Sequence, residues 1–399
     1  MRFPAGRLAV FMLALFVAFG AFAVYRYREP LPPLTVTQLL PESSVPVAAA
    51  SAVPWPRSGA AALAVDRIGL IGSNGDDRMR PIASVTKMMT AYVVLKGHPL
   101  RPGERGPEVR ITAEDIRNYN RHLAMDNSVV PVAEGQLLSQ YDLMQALLIA
   151  SGNNIADLLA RWDAGTIEAF VMKMNAEAAA FGMTKTRYAD TNGTSAQSMS
   201  TASDQLVLAQ TLMTNPVFAE IVGRRQAQIP GAGTIMTTNV SLGRAGIVGV
   251  KTGWTEEAGG CLVFAANVTV DGRPVTLFGA VIGESDRPNA FSSSERLATA
   301  VAAGLRFTKV LPASTPVLNL ESGWGSDAQA VAAADVEALV WPGMAASTQV
   351  ELLLPSAVPI QAGAEVGRVV VSYGAQRVSV PLKAQARLDG PGLGWRVLR

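Results

Sequence analysis

The feature that most constrains this chain is a segment that leads from a tight turn into a helix that is apolar almost all round. Residues 81–90 read PIASVTKMMT, and the helical pattern continues to about residue 96. Such a helix is expected to be buried, so the surrounding domain must pack around it. Ser84 and Lys87 are three residues apart and therefore share one helical face. A serine beside a lysine is a weak nucleophile beside a possible base.

Two later motifs carry related chemistry. Ser151-Gly152-Asn153 is an S-x-N motif, and Lys251-Thr252-Gly253 is a K-T-G motif. Taken separately, each motif has an ordinary structural explanation: a helix cap for S-x-x-K, a turn for S-x-N and a strand end for K-T-G. Together, with S-x-x-K opening a buried helix and K-T-G on a predicted strand, they are typical of penicillin-binding proteins and class A β-lactamases.

The residue types suggest a role for each side chain around the nucleophile. Ser84 is the candidate nucleophile, and Lys87 is its candidate base, with a pKa lowered by burial and by the nearby charge of Lys251. Backbone N–H groups at the start of the helix can stabilise a developing oxyanion. Ser151 can relay a proton to a leaving amine, and Asn153 can bond a substrate amide and hold Lys87 in place.

The K-T-G segment is expected to bind substrate. Lys251 and Thr252 offer a cation and a hydroxyl to a carboxylate. Gly253 would let substrate backbone lie against the strand, and Trp254 would present its backbone N–H as a second oxyanion donor.

The periodicity predicts an α+β fold for the middle of the chain, with strands at both sequence ends and a helical cluster between them. An antiparallel sheet is expected from strands over 61–70, 247–251, 260–270 and 274–283. Helices are expected over 84–96, 141–162 with a break at 151–154, 167–181, 202–214 and 293–305. Residues 101–140 are expected to form loops and short elements. Beyond residue 311, four short β runs predict a small β-sandwich: 336–340, 349–354, 366–373 and 377–382.

The N-terminal region predicts export. Arg2 and Arg7 precede an uncharged apolar run over 8–24, which suits either a signal peptide or a membrane anchor. Aromatic and basic residues directly after the run favour a retained anchor. The expected organisation is an anchor or signal over 1–28, a stiff Pro-rich linker over 29–58, a catalytic domain over 59–311 and a β domain over 312–399.

Composition excludes several function classes. The formal net charge is only +2, which gives no support to a nucleic-acid partner. One cysteine, Cys261, and two histidines, His98 and His122, provide little for a zinc site, so neither a metal nor a cofactor is expected. Cys261 is expected to be buried in a strand, and both histidines are expected in surface loops.

Several segments together resemble the serine D-alanyl-D-alanine carboxypeptidases, the low-molecular-weight penicillin-binding proteins of peptidase family S11. They are residues 83–90 (ASVTKMMT), 148–154 (LIASGNN), 190–193 (DTNG), 200–204 (STASD), 250–255 (VKTGWT), 359–367 and 380–382. The resemblance implies a β-lactamase/transpeptidase-like catalytic domain and removal of the terminal D-alanine from peptidoglycan stem peptides through an acyl-enzyme on Ser84. It also implies covalent inhibition by β-lactams. Residues 190–193 are expected to be a shaped turn rather than a catalytic group.

Family members often carry a basic residue after the last sheet strands that helps to bind the substrate carboxylate; Arg287 is the nearest candidate here, and the sequence does not fix its register. The sequence departs from this family at two further places. Asn154 and Ile155 follow the S-x-N motif where many relatives have Asp-Ala, with little expected effect on the chemistry. Residues 392–399 are too short and too rich in glycine for the amphipathic anchoring helix of many relatives, which favours a retained N-terminal anchor. The catalytic domain is therefore expected at the cell membrane, on its extracytoplasmic side.

Three alternatives remain open on the sequence alone. A β-lactamase would need a base for fast deacylation, and Glu168, Glu177 and Glu220 lie between the second and third motifs. A D,D-endopeptidase would use the same motifs on peptidoglycan crosslinks. An inactive wall-binding relative could have kept the fold, although the complete set of motifs argues against it.

Overall fold

The computed structural model describes residues 5–40, 43–46, 53–75, 78–355 and 358–399. Arg2, named above as a flank of the apolar run, lies outside them. The described helices are α1 (Ala5–Arg28), α2 (Lys87–Gly97), α3 (Ala113–Ala124), α4 (Gln140–Leu148), α5 (Asn153–Ala164), α6 (Ile167–Ala180), α7 (Ala202–Met213), α8 (Pro216–Val222), α9 (Arg287–Gly304) and α10 (Leu393–Leu398).

The described strands run through both halves of the chain. They are β1 (Thr35–Gln38), β2 (Ser43–Pro46), β3 (Ala60–Val65), β4 (Gly69–Asn74), β5 (Arg80–Pro81), β6 (Glu108–Arg110), β7 (Leu137–Ser139), β8 (Met199–Ser200), β9 (Gln226–Ile229), β10 (Gly233–Met236), β11 (Ile247–Thr255), β12 (Gly259–Val270), β13 (Arg273–Glu284), β14 (Arg306–Leu311), β15 (Pro316–Glu321), β16 (Ala328–Ala332), β17 (Val336–Val340), β18 (Ala345–Leu352), β19 (Glu365–Tyr373) and β20 (Gln376–Ala384). The chain separates into two units, Ala49–Arg306 and a second that combines Met1–Ala48 with Phe307–Arg399.

The larger unit is built around a five-stranded antiparallel sheet. Its order is β11-β12-β13-β3-β4, so β11, which carries the K-T-G motif, is an edge strand. Helices α7 and α9 pack on β12 and β13, while α2 lies among α4, α5, α6 and α7. The predicted α+β organisation, with an antiparallel sheet and a central buried helix, is therefore present.

Helix α2 is buried because its side chains are apolar on every face. Met88, Met89 and Ala91 are fully buried, and so is the polar Lys87. A charged side chain inside such a core must lose its charge or find several hydrogen-bond partners. Its position therefore requires other elements to converge on it.

Residues 101–140 were predicted to be mostly loops and short elements, and that prediction missed the twelve-residue helix α3. Its start is a capping box in which the Thr112 side chain accepts from Asp115 N and the Asp115 side chain accepts from Thr112 N. The buried residues of α3 are Asp115, Asn118 and His122, so its inner face is polar. A hydrophobic period cannot reveal a helix of this kind, whereas the T-x-x-D cap at its start could have.

The region predicted as a poorly packed linker, residues 29–58, contains two strands. Strand β1 pairs antiparallel with β15, and β2 pairs with β18, which places them at opposite edges of a seven-stranded sheet ordered β1-β15-β16-β20-β19-β18-β2. An extended segment can satisfy its backbone N–H and C=O groups at an open sheet edge, which composition alone does not indicate. Residues 41–42 and 47–52 of this region lie outside the described residues.

The smaller unit is rich in β-strands, as the sequence predicted. Besides the seven-stranded sheet it contains the pair β14-β17, in which β17 packs against β19 and β20. Residues 9–28 of α1 have a mean hydropathy of 2.0 and are long and apolar enough to cross a membrane. Helix α10 packs against α1, with Arg396 Nη1 donating to Tyr27 O at 2.8 Å.

The edge position of β1 gives a prediction that hydrogen–deuterium exchange can check. Compared with a chain that begins at residue 29, a chain that begins at residue 39 lacks β1. We expect about half of the β15 amides to exchange faster in the shorter chain, since alternate N–H groups of a strand face each neighbour. Strand β19 lies between β20 and β18, so its exchange should stay unchanged. Equal exchange at β15 in the two chains would contradict the pairing of β1.

Candidate active site

The candidate nucleophile lies in a tight turn at the entry to α2. Residues Ala83–Thr86 form a 3-10 turn, and the α-helix begins at Lys87. Ala83 has a positive φ of 45°, a conformation that L residues seldom adopt. The turn also depends on Gly193, because a Cβ at that position would lie 1.8 Å from Ala83 O. Residue 193 therefore has to be glycine for the 190–193 turn to approach the nucleophile.

The Lys87 amino group donates to three acceptors from three parts of the chain. Its Nζ lies 2.8 Å from Ser84 Oγ, 2.6 Å from Asn153 Oδ1 and 2.8 Å from Asn192 O. Burial lowers the pKa of Lys87 to about 7, although the charges of Asp190 and Asp157 oppose this shift. At neutral pH a substantial fraction of Lys87 is therefore unprotonated, as a base requires.

The S-x-N motif occupies the break between α4 and α5. Ser151 adopts a positive φ of 60°, and α5 begins two residues later at Asn153. The backbone N–H of Asn153 donates to Ser128 O at 2.8 Å, and Asn154 makes two hydrogen bonds to the backbone of Val130. The residue that replaces the usual aspartate thus fixes the 128–130 loop beside the motif.

Lys251, on β11, is the second buried lysine of the site. Its Nζ donates to Ser151 Oγ at 2.9 Å and to Thr252 O at 3.0 Å. Burial and the charge of Lys87 hold the pKa of Lys251 well below its ordinary value. The Lys87 shift is caused by burial, opposed by the charges of Asp190 and Asp157, so the expected lowering of its pKa by Lys251 is not among its causes.

The rest of the K-T-G segment follows the open edge of β11. Thr252 Oγ1 lies 2.6 Å from Thr238 Oγ1, which places a second hydroxyl beside it. Trp254 is 46% exposed, and the guanidinium carbon of Arg287 lies 5.8 Å from the centroid of its ring. Arg287 is the first residue of α9 and reaches the cleft from there, which the sequence could not establish.

The need for glycine at position 253 has a different cause from the one predicted. A Cβ there would lie 2.8 Å from Ile82 O and 3.2 Å from Ser84 N. Gly253 therefore allows β11 to pack directly against the nucleophile turn. Any larger side chain at position 253 would point towards this turn.

These residues line one open cleft with a volume of about 490 Å³. Its walls include Ser84, Ser151, Asn153, Thr252 and Gly253, together with Met125, Asp126, Asn127, Ser128, Gly193, Thr194, Thr238, Trp254, Thr255, Glu256 and Arg287. Lys87 and Lys251 lie directly behind the two serines to which they donate. The structure thus brings all eight sequence-predicted site residues together.

A buried polar network that the sequence did not indicate lies behind Lys87. His122, expected in a surface loop, is only 4% exposed, and its Nε2 lies 2.9 Å from Asp157 Oδ2. Asp157 also accepts from the side chains of Thr191 and Asn192. The sequence predicts a shaped turn at residues 190–193. Its contact with Lys87 is made by the backbone oxygen of Asn192, for which a sequence carries no signal. Cys261 is fully buried, as expected.

The arrangement suits nucleophilic acyl transfer. It combines a hydroxyl within reach of a lysine with a lowered pKa, a second serine bonded to a second lysine, and an edge strand able to pair with an extended peptide. Among the described residues, no group of three or more His, Cys, Asp or Glu residues is placed to hold a metal ion.

Comparison with known proteins identifies related sequences. The family model described as D-alanyl-D-alanine carboxypeptidase, Peptidase S11, matches residues 58–283. A D-alanyl-D-alanine endopeptidase from Escherichia coli is 30% identical over 257 residues, which cover 63% of this chain and 77% of the relative. A D-alanyl-D-alanine carboxypeptidase from Mycobacterium tuberculosis is 30% identical over 234 residues, covering 57% of this chain and 74% of that protein.

A solved structure extends the likeness to both units. The D-alanyl-D-alanine carboxypeptidase DacD from Francisella tularensis superposes with a TM-score of 0.60 over 86% of this chain and 96% of its own, at 21% sequence identity. At that identity the likeness shows the fold alone. It confirms the predicted catalytic fold followed by a C-terminal β domain.

The burial of Lys87 predicts an unusual titration. With isotope-labelled lysine, NMR should show one side chain whose pKa is about 7 and whose signal disappears in the Lys87→Met variant. Lys309 is an internal control, because its bond to Asp335 raises its pKa above the ordinary 10.5. A Lys87 signal that titrates with the exposed lysines would mean that water reaches this amino group.

Proposed function

Because the chain belongs to the D-alanyl-D-alanine carboxypeptidases of family S11, we propose that it removes the terminal D-alanine from peptidoglycan stem pentapeptides through an acyl-enzyme on Ser84. The observation that carries the proposal is the 2.8 Å contact between Lys87 Nζ and Ser84 Oγ, inside a site where burial brings the pKa of Lys87 to about 7. A serine hydroxyl needs such a base in order to attack a carbonyl.

The acylation step begins with proton transfer. Neutral Lys87 accepts the Ser84 hydroxyl proton as Oγ attacks the carbonyl carbon of the penultimate D-alanine. The carbonyl π electrons move to oxygen, and the backbone N–H groups of Ser84 and Trp254 donate to the resulting oxyanion. A Cβ at Gly253 would lie 3.2 Å from Ser84 N, so strand and turn are close enough for both donors to serve one oxygen.

Collapse of the tetrahedral intermediate breaks the peptide bond. The leaving amine takes a proton from Ser151 Oγ, and the proton that Lys87 took from Ser84 replaces it, so that Lys87 is neutral again. Lys251 donates to Ser151 Oγ and holds it in place for this transfer. Water then attacks the acyl-enzyme, Lys87 again accepts a proton, and the carboxylate product leaves with Ser84 restored. Lys87 passes on the proton that it accepts in each half of the cycle: to the leaving amine through Ser151 in acylation, and to Ser84 Oγ in deacylation.

The far end of the cleft suits the terminal carboxylate of the substrate. Thr252 and Thr238 offer hydroxyls, Lys251 offers N–H donors from its amino group, and Arg287 offers positive charge. The peptide backbone would add to the open edge of β11 as an extra strand. Thr238 and Arg287 thus add to the eight predicted site residues, and together they form one binding surface.

The proposal places the reaction outside the cytoplasm at the cell membrane. Residues 9–28 of α1 are long and apolar enough to cross a bilayer, and the catalytic domain follows this segment in the chain. The substrate would then be the cell wall, and β-lactams would acylate Ser84 as substrate mimics.

A second candidate is D,D-endopeptidase action on peptidoglycan crosslinks. It is favoured by the name of the Escherichia coli relative, which is 30% identical to this chain. The same nucleophile and base would act, and the leaving amine would belong to a neighbouring stem peptide. A β-lactamase is less well supported, because none of Glu168, Glu177 and Glu220 lines the cleft. Glu177 is hydrogen-bonded to Lys96, and Glu220 is hydrogen-bonded to Tyr141.

A covalent adduct tests the nucleophile. Penicillin treatment followed by peptide mapping should place one adduct on the peptide that contains Ser84, and Ser84→Ala should abolish it. Ser84→Ala should also lower D-alanine release by at least about a thousandfold. Ser292→Ala, a substitution on α9 outside the cleft, should leave both unchanged. An adduct on another peptide, or full activity in Ser84→Ala, would disprove the mechanism, and rapid turnover of a chromogenic cephalosporin would indicate a β-lactamase.

Product analysis separates the two peptidase activities. Purified protein is offered a soluble stem pentapeptide and a purified crosslinked muropeptide dimer at equal concentration. The proposal expects D-alanine release from the pentapeptide to have the higher kcat/KM. Faster conversion of the dimer into monomers, lost in Ser84→Ala, would assign the endopeptidase function instead.

A further inference from the structure

Asp157 lies behind Lys87, the candidate base. One of its carboxylate oxygens is hydrogen-bonded to the 191–192 turn, and the other is hydrogen-bonded to His122 on α3. Asp157 belongs to α5, four residues after Asn153, and is 5% exposed. Its Oδ1 accepts from Thr191 Oγ1 and, at 3.1 Å, from Asn192 Nδ2, whereas its Oδ2 lies 2.9 Å from His122 Nε2. We propose that Asp157 is a positioning residue for Lys87, which it serves by holding the 191–192 turn against the amino group.

The first side of Asp157 fixes a backbone acceptor. Asn192 O, which accepts from Lys87 Nζ at 2.8 Å, belongs to the residue whose side chain is bonded to Asp157. Thr90, one turn beyond Lys87, donates to Thr191 O at 2.5 Å, so the same turn is also fixed to α2. Without Asp157 the turn would lose two side-chain anchors and keep its bonds to α2 and those that Asp190 accepts within its own loop.

The second side of Asp157 leads to the rim of the cleft. Asn127 Nδ2 lies 3.1 Å from His122 Nδ1, and Asn127 lines the cleft. An ionised carboxylate can only accept hydrogen bonds, so His122 Nε2 is the donor to Asp157. This fixes the orientation of the carboxylate, and it explains why the polar inner face of α3 is buried in this domain.

The charge of Asp157 acts on the base as well. Burial opposes its ionisation, but hydrogen bonds from His122 and Thr191 leave its pKa below the ordinary value, so it is a carboxylate at neutral pH. Its negative charge raises the pKa of Lys87, against the larger effect of burial. The other charged groups that face Lys87 are Asp190 and Lys251, and Asp157 itself is also approached by Arg121 at 3.4 Å.

The inference rests on the proposed function, since it assigns Asp157 to the base of that reaction. Asp157→Asn keeps the shape of the side chain and removes the charge. The measurement is the rate of acylation by a chromogenic cephalosporin from about pH 5 to about pH 9, which spans the range in which a base with this pKa titrates. Because the variant loses a charge that favours protonated Lys87, the acid limb of the profile should move by about one pH unit towards lower pH. The plateau rate should also fall, since the turn is held less firmly.

The chain offers a matched control in Asp163. It lies on the same helix, its side chain is 3% exposed, and it too pairs with a histidine, His98, at 3.2 Å, and with Lys173 at 2.7 Å. Asp163→Asn removes a comparable buried carboxylate that has no bond to the site. It should lower the thermal unfolding midpoint and leave the acid limb and plateau in place. If Asp157→Asn behaves in the same way, Asp157 is merely structural and the inference is wrong.

A second variant tests the geometry without changing the charge. Thr191→Val removes one donor to Asp157 and keeps the size of the side chain. The acid limb should stay in place, while the plateau rate falls by about tenfold, roughly the effect of one lost positioning bond. An unchanged plateau would overturn the positioning role, and this variant decides the matter even if Asp157→Asn does not fold.

Failure of the inference can be told from failure of the proposed function. The wild-type protein is run beside each variant, and its adduct is mapped. If wild type is not acylated on Ser84, the proposed function fails. If wild type is acylated and neither variant behaves as described, the function stands and only the role of Asp157 is rejected.

Discussion

The site depends on the burial of two lysine side chains inside the larger unit. Lys87 is fully buried and Lys251 is 1% exposed. Removing an ammonium group from water costs several kcal/mol, which the fold must offset with hydrogen bonds or avoid by releasing a proton. Both outcomes are visible here, because each amino group is bonded to a serine and to a backbone carbonyl, and burial lowers both pKa values.

This requirement explains why so many elements meet at one point. The acceptors of Lys87 come from the nucleophile turn, the start of α5 and the 190–193 turn. Those of Lys251 come from the break before α5 and from its own strand. Glycine at 193 and 253 allows the backbone to approach closely enough for these bonds, since a Cβ at either position would overlap the turn around Ser84. Removing either glycine would therefore disturb the chemistry without touching a reactive group.

The limits of sequence reasoning follow from the kind of interaction that each residue makes. The break at residues 151–154 and the strand that carries Lys251 were predictable, because helical period, turn residues and strand alternation are local. Helix α3 was missed because its inner face is polar, and β1 was missed because pairing at a sheet edge depends on a distant strand. His122 was misplaced for a similar reason, since its partner Asp157 lies on another helix.

The sequence by itself determined the reactive groups: a serine and a lysine on one helical face, a second serine and an asparagine at a helix break, and a lysine and a threonine on a strand. Those features follow from residue type and short-range spacing. Only the tertiary structure decided which lysine meets which serine, that Asn192 offers a backbone oxygen to Lys87, and that Gly253 serves the nucleophile turn. The reason is that burial and contacts with backbone carbonyls set the protonation of Lys87. Neither can be read from the residue types in a sequence.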